Sequence, residues 1–177
     1  MEKFGTGDIN FACALMSLGI PLYENERCAV IAHENGAVYS RYYFEPYSVD
    51  GKFETITMSR AWSRMDTLPA DHPLHWLSSF ARQSEKGFTI SDWLGLACDI
   101  YELKHIANVE TARQHIAQFP NNAESYCLAF ILNRIELYAL HKSATQKIYM
   151  SKGKSSAMID VRLASPQKRE LINRLNG

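Results

Sequence analysis

Cys28-Ala29-Val30-Ile31-Ala32-His33 is followed by the turn Glu34-Asn35-Gly36-Ala37 and then by Val38-Tyr39-Ser40-Arg41-Tyr42-Tyr43-Phe44. Asn-Gly suits a type I′ turn, because both central residues need positive φ and these two tolerate it best. The flanks are rich in β-branched and aromatic residues, which suit a pleated surface. The stretch therefore reads as a β-hairpin. A two-residue loop would pair Ala32 with Tyr39, Val30 with Arg41 and Cys28 with Tyr43 on one face. His33 with Val38, Ile31 with Ser40 and Ala29 with Tyr42 would share the other. Neither face is cleanly apolar, so the pattern alone does not say which one packs on a core.

Beyond the hairpin, Tyr47 to Lys52 turns the chain at Asp50-Gly51, and Phe53 to Met58 reads as a third strand of an antiparallel meander. Ser59 to Met65 reads as a short helix. Before the hairpin, Asp8 to Leu18 reads as a helix capped by Thr6 or Asp8 and ended by Gly19 and Pro21. After it, Asp71 as cap and Pro73 as first-turn proline open a helix to about Ser84. Thr89 with Asp92 resembles a capping box for a helix to about His105, with Ile90, Trp93, Leu94, Ala97, Ile100 and Tyr101 at helical spacing. Val109 to Phe119 is a helix stopped by Pro120. Asn121 with Glu124 opens a further helix whose span Ser125 to Leu140 is apolar nearly all round, the expected central buried helix. Arg134 to Leu140 within it also alternates well enough for a strand.

Gln146 to Ser151 and Ser156 to Leu163 bracket Lys152-Gly153-Lys154 and read as a second hairpin. Ser165-Pro166 opens a last helix to about Leu175. The expected architecture is α+β: one globular domain over residues 1–177, with an antiparallel sheet from two hairpin groups packed against six to seven helices.

The 177 residues carry 46% hydrophobic and 21% charged residues, which suits a globular protein able to bury a core. No stretch is apolar and uncharged for long enough to span a bilayer. With no apolar signal-peptide core after Met1, a cytoplasmic protein with no membrane partner is expected. Cys13, Cys28, Cys98 and Cys127 are scattered among apolar neighbours with no Cys-x-x-Cys pair, so buried free thiols are expected rather than disulfides or zinc.

Net charge is zero, but it is segregated. Residues 1–140 carry 11 Lys and Arg against 17 Asp and Glu, a net of −6. Residues 141–177 carry 8 against 2, a net of +6. Lys147, Lys152, Lys154 and Arg162 flank Tyr149 in the second hairpin, and Lys168, Arg169 and Arg174 follow in the last helix. Cations neutralise phosphates and an interleaved aromatic can stack on a base. These eight residues form the expected anion-binding surface, for a nucleic acid or an acidic protein partner. Tyr39, Arg41 and Tyr43 alternate along one strand and form a candidate protein contact, unless a helix covers them and Arg41 pairs with Glu54.

Catalytic signals are weak. Asp71-His72-Pro73-Leu74-His75 is the densest polar cluster, but it lacks a third metal ligand and the spacing of a zinc-protease helix. Ser151 to Ser156 superficially resembles the end of a phosphate loop but lacks the first glycine and the strand–helix context. No metal and no cofactor is expected. The sequence reads as a non-catalytic binding or accessory protein, with a small enzyme built on Asp71, His72 and His75 as the alternative.

Overall fold

The computed structural model describes residues 4–20, 22–23, 28–32, 38–44, 48–49, 53–63, 70–150 and 158–159. The hairpin forms the middle of the larger sheet, from β2 (Cys28–Ala32) and β3 (Val38–Phe44). Its register differs from the two-residue-loop pairing by one residue: Cys28 lies opposite Tyr42, Val30 opposite Ser40 and Ala32 opposite Val38. Five residues, 33–37, separate the last pair, and they lie outside the described residues. The physical reason is burial. Ser40, Tyr42 and Phe44 of β3 are buried, while Arg41 and Tyr43 are only half-buried. A buried row specifies register strongly, because a one-residue slip exchanges the two faces. The Ser40 hydroxyl donates to the Tyr42 hydroxyl oxygen at 3.2 Å, which satisfies polar groups inside this row.

A strand not anticipated from the sequence, β1 (Phe4–Thr6), pairs antiparallel with β3, placing Phe4 opposite Phe44 and Gly5 opposite Tyr43. The Tyr43 ring lies across Gly5, where a Cβ would meet its Cε1 at 2.9 Å. An aromatic over a cross-strand glycine covers the backbone that the missing side chain exposes. The β2 edge is extended by β6 (Met158–Ile159), giving the order β1-β3-β2-β6. A separate two-stranded ladder joins β4 (Ser48–Val49) to β5 (Phe53–Glu54); the expected Asp50-Gly51 turn lies outside the described residues.

Two strand assignments from the sequence are corrected here. The strand expected over Phe53 to Met58 ends at Glu54, and α2 (Thr55–Ser63) takes over. Helix places Met58 and Trp62 one turn apart on one face. Met58 is buried, and Trp62 packs its ring 5.7 Å from Phe11. Packing thus overrides the strand preference of Thr55-Ile56-Thr57. The second hairpin is not formed either. Gln146 to Met150 is the end of α6 (Ala123–Met150), and β6 pairs with β2 instead. Neither glycine nor proline occurs between Pro120 and Gly153, so nothing local stops the helix. For the same reason Arg134 to Leu140 is helical rather than a strand. The last helix, expected over Ser165 to Leu175, lies outside the described residues.

The remaining helices follow their local signals. In α1 (Ile9–Ser17), Asp8 is the cap, accepting from the amides of Asn10 and Phe11 at 2.9 and 3.2 Å. Its other oxygen accepts from Trp62 Nε1 at 3.1 Å, tying α2 to the start of α1. Gly19 ends the segment at φ +83°, the left-handed conformation expected of it. Pro73 opens α3 (Pro73–Arg82), but the cap is His72 and not Asp71. In α4 (Ile90–Tyr101) the Thr89–Asp92 capping box forms with both reciprocal bonds, and Glu102 closes the helix at φ 53° rather than near His105. Asn108 caps α5 (Val109–Gln118). At the start of α6 it is Asn122, not Asn121, whose Oδ1 accepts from the Ser125 amide at 3.1 Å.

The expected central helix is α6, which packs against α1, α3, α4, α5 and β2. Cys127, Leu128, Phe130, Ile131, Leu132 and Leu137 are all buried by these neighbours. Enclosure on several sides explains why its apolar residues run nearly all round. Phe80 of α3, Trp93 of α4 and Phe130 of α6 form a triangle of rings with centroids 5.5 to 6.0 Å apart. The whole is α+β and mostly helical, with six helices among the described residues. Among those residues no helix is long and apolar enough to cross a membrane.

Candidate functional site

Of the expected anion-binding residues, Lys147 and Tyr149 fall in the last turns of α6, on helix rather than on a strand. Lys152, Lys154, Arg162, Lys168, Arg169 and Arg174 lie outside the described residues, as does the loop around Gly153. Tyr39 sits in β3 opposite Ile31. Arg41 and Tyr43 both serve β1: Arg41 Nη2 donates to the Gly5 carbonyl at 3.3 Å, and the Tyr43 ring covers Gly5. The side chain of Glu54, the expected partner of Arg41, lies outside the described residues.

The Asp71-His72-His75 cluster is a helix start. His72 Nδ1 accepts from the Leu74 amide at 3.1 Å, one of the free amides of the first turn. Among the described residues no group of three or more His, Cys, Asp or Glu side chains could hold a metal. The cysteines Cys13, Cys98 and Cys127 are free thiols. Burial pushes the Cys13 thiol well up, with Arg134 acting in the opposite direction. Burial likewise pushes Cys127 up to about 11, while Tyr101, whose hydroxyl lies 3.3 Å from its sulfur, acts to lower it. A thiol with so high a pKa is not a ready nucleophile at neutral pH.

The structure assembles a different constellation. Phe130, Arg134 and Tyr138 recur every four residues along one face of α6. The stripe runs from the core to the surface: Phe130 is fully buried, Arg134 is half-buried and Tyr138 is 54% exposed. Trp93 serves the first two. Its ring lies 5.5 Å from the Phe130 ring and 5.3 Å from the guanidinium carbon of Arg134. The Tyr138 ring sits 6.0 Å from that same carbon. Both distances suit cation–π attraction. Arg134 Nε donates to Asn10 Oδ1 at 2.8 Å, which fixes the plane of the group.

Asn10, Trp93, Arg134 and Tyr138 line an open cleft of about 590 Å³. Its far wall is the Ser84–Thr89 segment and the first turn of α4. Gly87, at φ +87°, reverses that segment so that the Phe88 ring packs edge-on against Trp93 at 5.5 Å. The Thr89–Asp92 capping box then holds the segment to the helix. Its hydrogen bonds from Thr89 keep the Asp92 carboxyl below the usual range. Glu85, Lys86 and the exposed Ile90 complete the wall.

A second polar pair joins the exposed His105 to the buried His115. His105 Nε2 and His115 Nδ1 are 2.8 Å apart, close enough to share one proton, and the His115 ring stacks on Phe119 at 5.1 Å. His115 is buried, and its Nε2 has no partner in the structure.

No protein-family model, curated protein or solved structure matches this chain.

The cleft leaves no single motif in the sequence, because its parts come from three distant stretches: α1, the α3–α4 connection with the first turn of α4, and α6. One signal was present. Arg134 interrupts the most apolar helix of the chain, and a cation in such a position must find a partner.

Proposed function

We propose that this chain is a non-catalytic binding protein that contacts nucleic acid through its basic segment, residues 142–177. The observation that carries this reading is the charge segregation: a net of +6 in residues 141–177 against −6 in the rest. Phosphate contacts release counterions, so lysines and arginines concentrated on one segment support salt-sensitive binding. The segment begins on α6, where Lys142 is exposed, and continues past Met150 through Lys152, Lys154 and Arg162 to Lys168, Arg169 and Arg174. Tyr149 supplies an aromatic among the cations, suited to stacking on an unpaired base.

The test is fluorescence anisotropy with a labelled single-stranded oligonucleotide across a salt series. Binding is expected to weaken as salt rises, with the Lys152→Glu, Lys154→Glu double variant binding more weakly and with a shallower salt dependence. Equal affinity in wild type and double variant at low salt would overturn the proposal. Capture of an acidic protein without any nucleic-acid binding would move the surface to a protein partner.

A further inference from the structure

We propose that the Arg134 cleft is a binding site for a small aromatic monocarboxylate, independent of the basic segment. Four observations converge on that ligand class. First, Arg134 has no carboxylate partner among the described residues; its contacts are Asn10 and the two rings. A half-buried cation held only by neutral groups lacks the counter-charge that usually accompanies it. Second, the group is oriented. Asn10 takes Nε, which directs the fork of the two Nη groups away from that bond. A guanidinium fork matches the two oxygens of a carboxylate better than a point charge does. Third, the remaining charges on the cleft wall are Lys86 and Glu85, so with Arg134 the site carries a net of +1. That balance suits a single negative charge rather than a phosphate dianion. Fourth, the mouth keeps large apolar surface open. Tyr138 is 54% and Ile90 43% exposed, and a planar ring on the ligand would cover both. About 590 Å³ falls in the range of small-molecule sites, which combine apolar walls with a few placed polar groups.

Titration with 3-phenylpropionate, followed by the Trp93 indole signal in nitrogen–proton correlation spectra, tests the proposal. The signal is expected to shift saturably, while the uncharged 3-phenylpropionamide leaves it in place. Arg134→Gln is expected to weaken binding at least tenfold. Arg134→Lys, which keeps the charge and loses the fork, is expected to weaken it as well. Tyr138→Ser, at an exposed position that leaves the helix intact, is expected to weaken binding severalfold and serves if the Arg134 variants do not fold. An unshifted Trp93 signal at 20 mM carboxylate would overturn the proposal. So would amide and carboxylate binding alike, or full affinity in Arg134→Gln or Tyr138→Ser. Phenyl phosphate binding more tightly than the carboxylate would refute the monoanion assignment. The basic-segment reading is tested separately through Lys152 and Lys154 and is unaffected by any of these results.

Discussion

Truncating Phe130 to alanine tests the role of α6 as the centre of the fold. The side chain is fully buried and touches Phe80 at 6.0 Å and Trp93 at 5.5 Å, so its loss strips one vertex from the ring triangle that joins α3, α4 and α6. A buried Phe→Ala change costs about 3–5 kcal/mol, from lost transfer energy and the cavity left behind. Of this, roughly 0.5–1.5 kcal/mol per ring pair is aromatic geometry beyond area. With a urea m-value of about 2 kcal/mol/M, the midpoint should fall by roughly 1.5–2.5 M. Far-UV circular dichroism reports the transition, and fluorescence in a Trp62→Phe, Trp76→Phe background, where Trp93 alone emits, follows the triangle itself. Tyr138→Ala is the internal control: it lies on the same helix, eight residues along, but more than half exposed. Its cost should stay near 1 kcal/mol or below, in line with partly exposed positions. A Phe130→Ala loss under about 1 kcal/mol with an unchanged m-value would refute the packing described here. So would equal losses in the two variants. A Phe80→Leu, Phe130→Leu cycle should show a coupling of roughly 0.5–1.5 kcal/mol.

Further outcomes follow from single groups. Glu102 closes α4 at φ 53°, a conformation that penalises a Cβ, so Glu102→Gly should leave stability unchanged or raise it by up to about 1 kcal/mol; a loss beyond that in urea unfolding would contradict the left-handed cap. Cys13 and Cys127 should resist iodoacetamide in the folded protein at pH 8 and react on unfolding, because burial holds both thiols protonated; rapid native labelling of either, read by peptide mass spectrometry, would disprove it. Burial lowers the His141 pKa below its usual 6.5, so the unfolded chain binds more protons there. Its contribution to stability is therefore complete above the unfolded pKa and lost as pH falls from about 6.5 through the folded value. His141→Gln should flatten the melting-temperature profile between pH 7 and 5, and an identical slope in wild type and variant would remove the effect.

Much of the chain declares itself locally. A capping box needs only residues three apart, so Thr89 and Asp92 announced the start of α4 without reference to anything distant. Gly19 and Pro120 mark chain reversals because φ restrictions act within one residue. The apolar run from Ser125 identified the central helix because nothing else can shield so wide a face. The hairpin's existence was equally plain from β-branched and aromatic flanks around Asn35-Gly36.

Tertiary structure decided what local signals leave degenerate. The hairpin register followed from burying Ser40, Tyr42 and Phe44, a choice that two mixed faces did not reveal. Thr55 to Met58 became helix because Met58 is buried in the core while Trp62, one turn on, packs on Phe11 of α1. Gln146 to Met150, expected as strand, continued α6 and left β6 to find β2. The Arg134 cleft is the clearest case. A cation between two rings and an amide requires Asn10, Trp93, Arg134 and Tyr138 in one place, and only the packing of α1 and α4 against α6 puts them there.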